Sequence, residues 1–303
     1  MRNAEAAIAL DDLGALRIRG PDAVQYLQGQ LSQDIERVSS ERSLRAGFHN
    51  AQGRVIALLR LVWIAANDLL AILPRELAPT VAPRLAKFIL RAKVTIADES
   101  DRWDVHGFIG TGALAPDWPR ARDSQLTTQD RRIVCVGEAP SRWMQIVPHA
   151  AGAARMLAPD AAEIWRRHEI EAGEPQVFAS TSETFVSQML NLDLLDAISF
   201  EKGCYTGQEI IARAHYRGRM KRRMQRFRAI GPPALEPGAH GRLPDGRGII
   251  VVRAARIGDA VEFLAVTSLP DSPHGAPEST AGVASPDTAI AAVQQPLPYT
   301  LPA

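Results

Sequence analysis

SFEKGCYTGQEIIARAHYRGRMKRR, residues 199–223, places one cysteine between two glycines, then a helix-like run, then a dense set of cations. Lys202-Gly203-Cys204-Tyr205-Thr206-Gly207-Gln208-Glu209 is its core. Two glycines four residues apart permit positive-φ backbone, so the spacing predicts a tight loop presenting Cys-Tyr-Thr. Thr206 and Glu209 have capping-box spacing, and Ile210, Ile211 and Ala214 continue as a short helix. Cys204 is then expected just ahead of a helix N-terminus and beside Lys202, where positive charge and the helix dipole favour a thiolate. The plainer reading makes Cys204 a small buried hydrophobe in a glycine-rich turn. The electropositive loop favours the reactive one.

KGCYTGQE, followed by ARAHYRG and KRR, resembles the signature of the YgfZ/Iba57 family, folate-binding relatives of the glycine-cleavage T-protein in the aminomethyltransferase superfamily. The resemblance implies an α+β fold of three-domain, T-protein-like architecture around a central folate channel. It places a discontinuous folate-binding domain at 1–96 plus 151–222, a middle α+β domain at 97–150, and a small C-terminal antiparallel β-barrel at 223–303. It also implies tetrahydrofolate or another reduced folate as ligand, iron–sulfur enzymes or assembly factors as partners, and tRNA modification as the process they serve.

The bulk properties bound the problem without deciding it. Lysine and arginine number 35 against 34 aspartates and glutamates in 303 residues, a net +1, which argues against a bulk polyanion binder. Two cysteines, Cys135 and Cys204, are too few for a disulfide framework and point to a reducing compartment. No apolar run has membrane-spanning length, and the opening MRNAEAAIALDD lacks signal-peptide features. A cytoplasmic monomer with no membrane contact is the expectation.

Ahead of the motif, Ala15–Arg19 alternates like a strand, and Gly20-Pro21-Asp22 opens a helix through Leu27. Gln28-Gly29-Gln30-Leu31-Ser32-Gln33-Asp34 reads as a helix-ending glycine and a polar loop. The family carries a similar segment here, which points to a pocket-lining loop. Phe48–Arg54 reads as a hairpin turn before the strand Val55–Trp63. On that strand the aminomethyltransferase relatives bear two aspartates, one essential to methylene transfer; the matching positions here are Ala57 and Leu58. An apolar pair cannot position a substrate amine, so aminomethyl transfer is not expected. Leu77–Leu90 is read as helical after Pro83, and Lys93–Ile96, Ser100–Ile109 and Ile133–Val136 as strands around a polar, proline-rich stretch from Leu114 to Gln129. Cys135, in Ile-Val-Cys-Val, reads as core.

The second informative stretch is Trp165–Gly173, WRRHEIEAG, in a helix expected to start near Pro159 and stop at Gly173. Glu171 near the negative end of that helix is unfavourably placed, and a reason for it is paired hydrogen bonding to the amino-pyrimidinone edge of a pterin. The plainer reading is a solvated acidic face with Trp165 in the core. The resemblance assigns folate contacts to the Glu of Glu-Ala-Gly and to a nearby tryptophan, which Glu171 and Trp165 match. A second family tryptophan, near the N-terminus, is Leu13 here. Ser187–Asp193 reads as a loop and short helix that buries Met189, Leu192 and Leu195 and leaves Asn191 open.

Arg213, Arg217, Arg219, Lys221, Arg222, Arg223, Arg226 and Arg228 make a cation run. Such a run is usually a solvated face, but Arg213 and Arg217 suffice for the glutamyl tail of a folate, while an RNA backbone would use many more. Tyr205, Tyr216 and Phe227 are thin for a stacking platform, so direct nucleic-acid contact is not expected. Gly231–Gly248 separates the motif from strands at Gly248–Ala255 and Val261–Thr267, and Pro270–Asp287 reads as a loose loop. A single motif cysteine cannot hold an iron–sulfur cluster by four thiolates, so no stably bound metal is expected. The expected function is a tetrahydrofolate-binding accessory protein supporting assembly or repair of iron–sulfur enzymes, not a conventional enzyme. Cys204 is its working thiol, assisted by Lys202 and framed by Gly203, Tyr205, Gly207, Gln208 and Glu209. The alternatives are a folate-dependent aminomethyl transferase and an RNA-binding module.

Overall fold

A computed structural model of the chain describes residues 7–110, 117–149, 161–218, 220–231, 235–269 and 289–302. The expected features at Leu114–Pro116, Pro159–Asp160, Arg219 and Pro270–Asp287 lie outside them. The chain opens with β1 (Ile8–Ala9), β2 (Leu13–Arg19), α1 (Ala23–Gln28), β3 (Leu44–His49), β4 (Val55–Ala65) and β5 (Asp68–Pro74). Next come α2 (Ala78–Ala86), β6 (Thr95–Asp98), β7 (Trp103–Gly110), β8 (Gln125–Thr127), β9 (Arg132–Glu138) and β10 (Ser141–Pro148). The last third holds α3 (Ala161–Glu171), α4 (Gln208–Arg217), β11 (Arg222–Ile230), β12 (His240–Arg242), β13 (Gly248–Ile257), β14 (Ala260–Ser268) and β15 (Ala292–Gln295). It is an α+β protein dominated by sheet.

The strands form three five-stranded sheets, ordered β3-β4-β5-β2-β6, β1-β7-β10-β9-β8 and β12-β13-β14-β11-β15. Strand β4 shows why they stack. Val55 to Val62 is buried at every position, which a strand achieves only when both faces are covered. Leu59 and Leu61 join the largest core, with Leu16, Leu27 and Phe48. Val62 joins Leu70 and Ile72 against Trp103, Val134, Met144 and Trp165, a second core where the first two sheets meet. The third sheet closes its own core around stacked Phe227 and Phe263 and lends Met224, Leu264 and Val266 to the first.

Two expectations need correction. Helix α2 starts before Pro83 and runs through it. Ala78, Val81 and Leu85 bury one side, and Pro83 faces solvent, so packing outweighs the lost hydrogen bond. Among the described residues the C-terminal sheet is not closed into a barrel: β12 and β15 stand at its edges, and the isolated bridge Arg242–Ala289 adds no further strand. No described helix is long and apolar enough to cross a membrane.

Candidate functional site

Helix α4 begins at Gln208, with Gly207 as its N-cap at φ +82° and no side-chain cap. The capping box expected from Thr206 and Glu209 is therefore not formed. A distant contact decides the geometry. A Cβ on Gly207 would lie 2.6 Å from Asn50 O and 3.0 Å from Gly53 Cα, so the loop needs glycine to press against the β3–β4 turn. Gly53, at φ +70°, meets α4 in return through Ile210. Gly203 has a different role from the one its spacing suggests: it lacks positive φ and has nothing within 4 Å of its Cβ direction. It leaves open space beside Cys204, which is exposed.

Lys202 and Tyr205 anchor that loop from below. The Lys202 ammonium donates to Gln28 O at 2.6 Å, Leu31 O at 2.8 Å and Gln33 O at 2.8 Å. All three donors are thus engaged by carbonyls at and beyond the C-terminal end of α1, where the helix dipole favours a cation. Burial lowers the Lys202 pKa to about 8, against the attraction of Asp34 and Glu36. Tyr205 is buried, its ring 5.3 Å beneath the ammonium and 6.3 Å from the His49 ring. The alternation Lys-in, Gly-out, Cys-out, Tyr-in holds the thiol outward.

A chamber of about 60 Å³ lies where the first two sheets meet α3. Trp165, 2% exposed, forms one wall, and its ring fills the space over Gly107 where a side chain would otherwise stand. Leu58 and Leu59 also line it. Arg45 and Arg60, direct cross-strand partners on β3 and β4, enter it together with Glu169, Glu174 and Arg253. Asp12, Arg166 and Arg253 also line an adjoining cleft of about 1050 Å³.

The chamber's charges are mostly matched. Arg60 binds Asp123 at 2.6 Å, Arg142 binds Glu174 at 3.1 Å, and Arg253 pairs with Glu169. Burial raises the Glu169 carboxyl above the usual carboxylate range, although Arg253 and Arg142 oppose it. Burial also acts on Glu174, but Arg142, Arg45 and Arg122 outweigh it and hold that carboxyl at about 2. Burial draws the Arg45 guanidinium down to about 10, with Glu174 pulling the other way.

Glu171 does not line the chamber. It binds Arg167 Nε at 2.8 Å and sits 2.9 Å from His168 Nδ1. Its partial burial raises the carboxyl, but Arg167, His168 and Arg226 leave it below its ordinary value. The arrangement brings Trp165 and Glu169 together one helical turn apart, and turns Glu171 toward the third sheet. Glu169, Glu174, Arg45, Arg60 and Arg253 escape a reading built on family positions. For Arg60 and Arg253 the signal is a charge set within an apolar strand, as in VIALLRLV and GIIVVRAA.

The cation run divides. Arg223 is buried against Asp193 at 2.9 Å, and Arg226 binds Glu262 at 2.6 Å, so neither serves a solvated anion face. Arg213 is exposed; the Arg217 side chain lies outside the described residues. Asn191, at φ +57°, caps a short 3-10 turn and donates to Met224 O at 2.9 Å. The chamber lining contains no residue of the 202–209 loop. A hydrogen bond links the lining to the segment before that loop: Arg45 donates to Leu195 O at 3.0 Å.

No protein-family model matches the chain. Individual relatives do. The tRNA-modifying protein YgfZ of Serratia proteamaculans (strain 568) is 34% identical over 235 residues, which cover 71% of this chain and 68% of that protein. The tRNA-modifying protein YgfZ of Escherichia coli O157:H7 (strain EC4115 / EHEC) is 32% identical over 261 residues, 78% and 73% of the two chains. The chain belongs to the YgfZ family. Among solved structures, the glycine cleavage system aminomethyltransferase T from Bartonella henselae superposes with a TM-score of 0.64, over 87% of this chain and 78% of that one. At 15% identity that likeness shows the fold alone.

Proposed function

We propose that the protein is a cytoplasmic, monomeric, tetrahydrofolate-binding accessory protein that supports assembly or repair of iron–sulfur enzymes and, through them, tRNA modification. The domain division is that given by the resemblance, 1–96 plus 151–222, 97–150 and 223–303. Cys204 is the working thiol. The observation that carries the folate reading is the chamber: a tryptophan wall, leucines in the lining, and a buried carboxylate, Glu169, on the same helix face as Trp165. A pterin presents an aromatic bicycle with N–H donors on one edge, which those groups complement. The chamber alone has room for about four waters, so it receives only the inner end of such a ligand, and the adjoining cleft takes the rest. The relatives' name supports a role connected with tRNA modification. Aminomethyl transfer is disfavoured because Leu58 occupies the chamber wall where a carboxylate would be required.

The test is titration with tetrahydrofolate followed by tryptophan fluorescence. Saturable quenching is expected, lost in Trp165→Phe. Glu169→Gln should weaken binding by about 1–3 kcal/mol, the scale for a hydrogen bond to a buried charge, and Glu171→Ala by less. The reverse ranking would assign the pterin carboxylate to Glu171. No saturable binding would remove the folate reading.

A further inference from the structure

Arg45 stands apart from the other arginines of the chamber. Arg60, Arg166 and Arg253 each have a carboxylate within 4 Å, whereas Arg45, 6% exposed, has none that close among the described residues, and Glu174 acts on it only from farther away. Its hydrogen bond goes from Nη2 to Leu195 O, and its buried Nε meets no acceptor. A guanidinium offers five donors in a fixed plane, so Nε and its neighbouring edge remain available on a chamber wall while Nη2 stays on Leu195.

Leu195 begins the segment that carries the cysteine loop. Asp196 O accepts from Gln33 Nε2 at 2.8 Å, Ala197 O from Ser32 Oγ at 2.7 Å, and Ser199 N donates to Ser32 O at 2.9 Å. Lys202 follows with its three carbonyls. Asp196 holds φ +51°, a conformation a non-glycine residue keeps only where its surroundings fix it. The 195–202 segment is therefore sewn to one loop along its length and tied to the chamber at Arg45.

We propose that Arg45 is a ligand-binding residue of the chamber, taking a carbonyl or carboxylate oxygen of the bound molecule on its free edge, and that its bond to Leu195 passes the resulting order to the Cys204 loop. Occupancy of the chamber is thereby read at the exposed thiol. This rests on the folate reading for the identity of the ligand; for a pterin the acceptor is the ring carbonyl.

Hydrogen exchange of the full chain, with and without saturating 5-formyltetrahydrofolate, tests the link. Ligand should slow exchange across 194–203 about fivefold, the effect of roughly one added hydrogen bond, and should also protect 161–171. Arg45→Lys keeps the charge but loses the free edge. At saturation it should protect 161–171 and leave 194–203 unchanged. Protection of 161–171 in the unaltered protein without any change at 194–203 would overturn the proposal alone, as would equal protection of 194–203 in Arg45→Lys. Absence of binding heat and of protection anywhere would remove the folate reading and the proposal with it. Should the variant fail to fold, the unaltered protein still decides whether the loop responds.

Discussion

Replacing Glu174 by glutamine should change how stability depends on pH as well as its size. The carboxylate is buried between Arg142 and Arg122, and its pKa falls from an ordinary 4.5 to about 2. A folded-state value below the unfolded one means the group adds stability that is fully present above about pH 4.5. That stability is lost as pH falls through the interval down to about 2. The gap corresponds to about 3 kcal/mol. Glu174→Gln keeps the shape but leaves two guanidiniums facing a neutral amide, a loss of about 3–5 kcal/mol at neutral pH for a broken buried pair. Urea unfolding of both proteins at several pH values between 7 and 2.5 supplies the comparison. Their difference should be constant above pH 5 and shrink steadily below 4.5, because only the unaltered protein has this proton to gain. Parallel curves across the whole range would refute the ion-paired assignment.

Lys202→Met should loosen the cysteine loop by about 2–4 kcal/mol, seen as faster exchange in 28–34 and 199–205, because it removes three charge-assisted bonds; unchanged exchange would show that the ammonium is not the tie. Gly207→Ala should cost about 1–3 kcal/mol in thermal unfolding, from its positive φ and the close Asn50 carbonyl, while Gly203→Ala stays within about 0.5 kcal/mol. The opposite order would contradict the loop geometry. Cys204→Ser should fold normally and bind folate, since the thiol is exposed, yet fail to restore iron–sulfur enzyme activity in a deletion strain. Full restoration would leave Cys204 without a working role.

What could be read from the sequence was local. The turn at Gly53 and the apolar run of β4 need only neighbouring residues, and both appear where the pattern puts them. The helix start at residue 208 departs from the sequence expectation because Thr206 and Glu209 satisfy a local rule, whereas Gly207 answers to Asn50 and Gly53, more than 150 residues earlier. The partners of Lys202 are equally remote. Helix periodicity separates Glu169 from Glu171 without deciding which of them meets a ligand. At about 100° per residue, Glu169 falls about 40° from Trp165 around the helix and Glu171 about 120° away, so only the former shares its face.

The distribution of groups also separates holding from reacting. In the chamber the lining carboxylates Glu169 and Glu174 each face an arginine, and β4 contributes Leu58 and Leu59 to the wall rather than an acid. A cavity so composed can recognise a polar heterocycle by hydrogen bonding but offers no unpaired carboxylate on that strand to draw a proton from an amine. The exposed thiol of Cys204 stands elsewhere, on a loop whose lysine and tyrosine point inward to hold it while its glycine leaves the approach clear. If folate were consumed in the chamber, nothing would require the two places to communicate. On the proposed reading, Arg45, with Nη2 on Leu195 and its Nε unpaired, is the contact through which a bound molecule would act on the thiol.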